Sequence, residues 1–305
     1  MAKSLKFFSV FCLVTMFCVS CSDLFENENG TDRTVDDNDV YVQNPNAVDG
    51  ALKGVFSVSE DKKVHFSQGN LQYKATTGKW RFAANQWDWL GENNRYTCAD
   101  YYDWIDLFCW GTSGWNNGAR EYQPYSVGER GDYKIGGSPN NDLTGEFVNA
   151  DWGVYNKIVN GGDMAGLWRT LSYDEWYYLL YQRSNAENLV FVAEVDTILG
   201  IVLLPDDWQT STIISFTQNE ASYESYTFEQ WERLEEKGGV FLPNAGWRAG
   251  LCYWHYPDDL SYWTTSIDGD EGARTVYMDV ATYVVRMGGL YRDSGASVRL
   301  VQDIQ

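Results

Sequence analysis

The stretch 240–266, VFLPNAGWRAGLCYWHYPDDLSYWTTS, constrains this chain more than any other. Trp247, Tyr253, Trp254, Tyr256, Tyr262 and Trp263 crowd into it beside two short apolar runs. Rings at that density either build a core or face a ligand, because each carries a large apolar area and, in Tyr and Trp, a polar tip.

The rest of the 305-residue chain decides which outcomes are open. It holds 14 Trp, 21 Tyr and 14 Phe, enough apolar material for a large core, so disorder throughout is excluded. A formal charge of -20 argues against nucleic acid, whose phosphates are bound by clustered Lys and Arg. It also disfavours adsorption to an anionic bilayer.

Residues 1–20 read as a signal peptide and stand outside the fold. Lys3 and Lys6 precede an apolar run over 7–19 that is short for a membrane span. The run ends in Cys18-Val19-Ser20-Cys21, which resembles a bacterial lipobox, with Cys18 where Leu is usual. That resemblance implies lipidation of Cys21, palmitate among the acyl groups, and an address in the cell envelope as an outer-membrane lipoprotein. Membrane attachment would then be through the lipid anchor alone. Loss of the two lysines takes the formal charge from -20 to -22. Residues 21–53, rich in Asp, Glu and Asn, are expected to be an acidic flexible tether. Asp23 and Glu26, just after the lipidated Cys, loosely match a surface-export signal. Cys98, Cys109 and Cys252 remain, an odd number, with a Cys98–Cys109 bridge as one option.

From Gly54 to Gln305 the chain is expected to form one domain. Period-two runs at 55–58, 64–66, 71–73 and 80–82, parted by Gly, Asn and Asp, predict hairpins. Residues 85–162 lack periodicity, and Trp87, Trp89, Trp104, Trp110, Trp115 and Trp152 there read as plugs holding loops down. Ser172 with Glu175, and Thr227 with Gln230, are capping boxes that predict two helices. Apolar, β-branched runs at 189–195 and 198–204 read as paired strands. Short strands follow at 240–242, 262–266, 274–280, 283–287 and 297–301. Hairpins, two capped helices and terminal strands make an α+β domain.

Four motifs then carry a resemblance: Trp168-Arg-Thr-Leu with Asp174-Glu175-Trp176, Phe241-Leu-Pro-Asn-Ala-Gly-Trp247-Arg248, Tyr262-Trp263-Thr-Thr, and Ser297-Val-Arg299-Leu-Val301. In this order they resemble the Fibrobacter succinogenes major paralogous domain, akin to the sulfatase-modifying-factor branch of the C-type-lectin-like fold. Asn244 and Trp247 depart from the family pattern, and the first motif lacks its Pro. The resemblance implies chain ends paired in one sheet, long irregular loops and a variable surface before the last strand. It assigns Trp176, Trp247, Arg248, Trp263 and Arg299 to the core. Residues between the motifs become the ligand-binding candidates: Tyr253, Trp254, His255, Tyr256, Asp258, Asp259, Tyr291 and Arg292.

No catalytic set is legible, and no cofactor or metal is expected. Formylglycine-generating relatives hold copper with a Cys pair, whereas Cys252 stands alone in that region. Two His residues, His65 and His255, are too few for a His-built iron site. Asp258-Asp259 and Asp268-Gly-Asp270-Glu271 offer hard oxygen ligands, but the lectin tripeptides Glu-Pro-Asn and Trp-Asn-Asp are absent. The expectation is a non-catalytic, lipid-anchored surface protein that binds a glycan or a protein. Three other readings share the sequence: a variable receptor of a diversity-generating retroelement, a structural subunit of a surface assembly, and a metal-dependent oxidase of the formylglycine-generating type.

Overall fold

The computed structural model describes residues 41–95, 101–115, 141–209, 223–257 and 259–304. All of them belong to one unit, Val35–Gln305. Its architecture is α+β, with few helices and several short, mostly antiparallel sheets.

The closing strand Val301–Asp303 pairs antiparallel with Lys63–Phe66, which pairs in turn with Phe56–Ser57. Early and late parts of the domain therefore share one sheet. Arg169 rivets this closure: its amide donates to the Val301 carbonyl at 3.0 Å. Its guanidinium meets Glu175 at 2.8 Å and Asp303 at 2.6 Å. The expected strand over 297–301 begins later than the pattern predicts. Val298 and Leu300 are buried, but their carbonyls accept from Leu71 and Ser67 rather than from a single neighbour. Their bonds scatter over separate segments, so the ladder starts only at Val301.

A hairpin of Leu71–Lys74 and Lys79–Phe82 takes Trp104–Ile105 on its free side. A second sheet joins Val190–Val195, Ile198–Leu203 and Val240–Pro243, with Glu224–Tyr226 added in parallel at one edge. Both faces of this sheet are covered, which explains its unbroken apolar runs. Ile201, Leu203, Val240 and Leu242 face a core shared with Phe56, Phe66 and Trp176. Val202, Leu204 and Phe241 face Trp231 and Leu234 of the helix Phe228–Glu235. Both capping boxes are formed, Ser172 on Tyr173–Tyr177 and Thr227 on Phe228–Glu235. The first helix continues as a π-helix over Tyr178–Gln182.

The body starts earlier than the sequence expectation of Gly54. Leu52 is buried, and Ala47–Val48 pairs with Ala51–Leu52. Asn44 is buried, with its side chain donating to Glu235 at 3.0 Å. This segment docks through amide side chains, a mode that apolar patterning does not register. In the irregular segment Trp104, Trp110 and Trp152 are buried plugs as expected, whereas Trp87, Trp89 and Trp115 are half-buried.

The turn Asp196-Thr197 joins two strands with both residues at positive φ, 48° and 78°. Such a two-residue turn matches the twist of its strands, but a β-branched residue in the left-handed region is strained. Thr197 is exposed, so little packing offsets the strain. Thr197→Gly should therefore raise stability by about 1 kcal/mol. The measurement is the urea midpoint at constant m-value, and a lowered midpoint would contradict the strained turn.

Candidate functional site

The candidate residues gather on and beside a small hairpin, Trp247–Ala249 paired with Cys252–Trp254. Gly246 opens it with φ 77°, and a Cβ there would meet the Trp254 carbonyl at 2.2 Å. Only glycine lets the hairpin close on its own base. Arg248 anchors it from beneath. This buried residue exchanges both backbone hydrogen bonds with Gly295, and its guanidinium donates to the carbonyls of Leu107 at 3.3 Å and Gly250 at 3.2 Å.

Strand alternation divides the candidates between two faces. Trp254 lies directly across from Trp247, and the two indoles stack 4.7 Å apart at 20°. Both are half-buried, so Trp247, expected as core, belongs to the surface stack instead. Tyr253 points the other way, opposite Arg248, and its hydroxyl donates to the Ala245 carbonyl at 3.2 Å. Burial, reinforced by Asp106, Glu92 and Asp259, holds that hydroxyl well above the usual tyrosine range. The exposed His255 lies on Tyr253's side, the two rings stacked 6.3 Å apart; its ring is tilted at 35° to that of Trp89, 4.3 Å away, and its Nε2 lies 3.0 Å from the Asn244 carbonyl.

Tyr256 follows, the most exposed of the group at 62%. Its amide donates to Asp259, whose other carboxylate oxygen accepts from Trp247 Nε1 at 3.0 Å. Asp259 thus ties the loop to the stacked indoles. Asp258 and Cys21 lie outside the described residues, as does Cys98 of the suggested bridge. Tyr291, 48% exposed, ends the strand Val284–Tyr291, across from Gly272. Arg292 does not face outward as expected. It is 5% exposed, sits over the Trp110 ring at 6.0 Å and donates to the Asp270 carbonyl.

One aromatic patch was missed. Tyr173, Tyr177 and Tyr181 line one helix face with centroids 6.1 and 5.1 Å apart, and Arg274 covers Tyr173 at 5.2 Å. The i, i+4 spacing behind the Ser172 cap was the signal. These rings pack on one another, and Tyr181 donates to the Val285 carbonyl at 3.0 Å, so they form a rail rather than an open platform. Among the described residues, no group of three His, Cys, Asp or Glu stands ready to hold a metal. No protein-family model matches the chain, and neither does any curated protein or solved structure.

Beneath the hairpin, buried Asp106 fixes the loop that carries Trp89. It accepts from the Leu90 amide at 2.9 Å and from Asn94 at 2.7 Å. Burial pushes Asp106 up to about 6, against the pull of those donors, and burial likewise pushes Asp151 to about 6. A carboxyl raised in the folded state stabilises the fold at low pH, and that contribution is lost as pH rises through about 6. Lowering the pH from 7 to 5 should therefore add about 1 kcal/mol through Asp106 alone. Urea midpoints at the two pH values test this against Asp106→Asn, which should show the smaller change. Equal changes in both proteins would contradict it.

Proposed function

We propose that this chain is a lipid-anchored, surface-displayed binding protein that recognises a glycan or protein ligand without catalysis. Its contact surface is the outer face of the hairpin, formed by the Trp247–Trp254 stack and by Tyr256, whose amide shares Asp259 with Trp247. The observation that carries this reading is the half-exposed Trp247–Trp254 stack beside the exposed Tyr256, on a hairpin anchored from below by buried Arg248. A soluble protein gains nothing in stability from leaving such rings in water, whereas rigid aromatic area is what recognition surfaces use.

The α+β body, with early and late strands in one sheet, accords with the resemblance to a C-type-lectin-like domain. We extend that resemblance to the fold, and the lipobox to an outer-membrane anchor at Cys21. The charge of -20 argues against nucleic acid as a partner.

Residues 35–305, screened against glycan and protein arrays, should bind a ligand that Trp254→Ala and Tyr256→Ala each weaken at least about 10-fold, a hot-spot effect. Binding untouched by both substitutions would remove this face from the account.

A further inference from the structure

The strand Val284–Tyr291 lies at one side of its sheet and pairs with Gly272–Asp279 in an unbroken antiparallel register. Which of its backbone groups face outward follows from alternation along an antiparallel strand. The Val285 carbonyl accepts from the Tyr181 hydroxyl at 3.0 Å, and the Tyr291 carbonyl from the Ser294 amide at 2.9 Å, both outside the ladder. The Arg292 amide instead continues the ladder, donating to the Glu271 carbonyl at 3.0 Å. Odd-numbered residues therefore turn outward. Between the two occupied carbonyls stand Met287 and Gly289, whose outward amides and carbonyls have no hydrogen-bond partner among the described residues. Gly289 is exposed and Met287 half-buried, so this stretch of edge reaches solvent.

Proteins usually blunt such an edge with Pro, Lys or a bulge. None occurs over 284–291, where the register runs without a shift and Arg286 is the single charged residue. Glycine weakens a strand and is kept where something must come close. On the faces of the sheet that is the Tyr277 ring, which a Cβ on Gly288 would meet at 2.8 Å, and the Asp268 carboxylate beside Gly289. Along the edge, the same lack of side chains admits another backbone. Alternating donors and acceptors at strand spacing are the complement of an extended polypeptide.

The chain itself supplies that polypeptide, because this edge read antiparallel is its own complement. With Gly288 on a twofold axis, Met287 of each copy lies opposite Gly289 of the other. Their amides and carbonyls are then all paired, and the ladder stops where Tyr181 and Ser294 already hold the Val285 and Tyr291 carbonyls. No side chain stands at the axis, and each Arg286 faces the uncharged Leu290 of the second copy. The two Arg286 fall on opposite sides of the axis, about 14 Å apart along the pairing, beyond the Debye length of about 8 Å at physiological salt. The same screening weakens the repulsion from the -20 that each chain carries.

We propose that two copies of this chain associate by antiparallel pairing of the strand Val284–Tyr291, joining their three-stranded sheets into one across a twofold axis at Gly288.

Light scattering on the full-length chain in detergent, over a range of concentrations, measures the protein mass of the particle. A two-chain mass is expected, falling to one chain on dilution. Met287→Pro removes an outward amide without costing the sheet a bond, a position where edge strands tolerate proline. It should weaken self-association at least about 10-fold, since twofold symmetry deletes the bond twice. Met287→Leu, which keeps the amide and an apolar side chain, should leave association unchanged, and near-ultraviolet circular dichroism establishes that each variant is folded. Amide-resolved hydrogen exchange on the parent chain gives a second reading that needs no variant. The amides of Met287 and Gly289 should be protected in the dimer and exchange freely on dilution, while those of Arg286, Gly288 and Leu290 stay protected throughout.

A folded Met287→Pro that still dimerises would overturn the proposal, and so would a single-chain mass at every concentration. Protection of Met287 and Gly289 that dilution does not relieve would put something other than a second copy on this edge, and overturns it equally. Should Met287→Pro fail to fold, the exchange measurement decides alone. Relief of protection on dilution upholds the pairing, and free exchange of both amides at every concentration refutes it.

Discussion

A single buried amide, Gln86, bonds at once to parts of the chain that are distant in sequence. Its side chain donates to Glu235 at 2.8 Å and to the Gly239 carbonyl at 3.0 Å, and accepts from the Phe241 amide at 2.7 Å. Glu235 also receives Asn44 at 3.0 Å and Asn46 at 2.9 Å. Arg299 completes the group from the C-terminal segment, donating to the Phe241 carbonyl and reaching Gln86 at 3.5 Å. Burial pulls its guanidinium down to about 10, with Tyr262 and Glu235 acting in the opposite direction. Buried polar groups are tolerable only when paired, so each of these contacts requires the others.

The rest of the architecture hangs on that requirement. The sheets have two to four strands each, and three separate apolar clusters must be held in register. The polar group joins the first strands, the helix Phe228–Glu235, the strand Val240–Pro243 and the closing segment at one point. Just beyond Pro243 the chain turns into the aromatic hairpin. Tyr262 returns it to the core through its hydroxyl, which lies 3.0 Å from the Asn70 side-chain amide and 2.9 Å from the Pro243 carbonyl. With its base pinned on both sides and Arg248 beneath, the hairpin can project its indoles without losing its shape.

Local rules made much of this legible. The Ser172 and Thr227 caps, the strands flanking Asp196-Thr197 and the plugs Trp104, Trp110 and Trp152 all follow from short-range chemistry. The hairpin was legible as an aromatic loop, but its division into two faces was not. That division depends on which residue lies opposite Trp247, a matter of register that composition does not carry. Arg292 was misplaced because an arginine after an exposed tyrosine looks like surface, while Trp110, distant in sequence, supplies the ring that buries it. Gln86 left no signal at all: a glutamine at the head of an irregular segment is ordinary until its four partners arrive from elsewhere in the chain. Asn44 and Asn46 were read as tether for the same reason.

The central claim is that this buried amide, more than any apolar cluster alone, closes the fold. Gln86→Leu is close in size but removes every hydrogen bond, and equilibrium urea unfolding measures the result. A loss of about 2–4 kcal/mol, with the m-value unchanged, is predicted from leaving the buried Phe241 amide and Gly239 carbonyl without this partner and from taking one donor away from Glu235. Stability within about 0.5 kcal/mol of the parent chain, the range of an ordinary surface substitution, would contradict it.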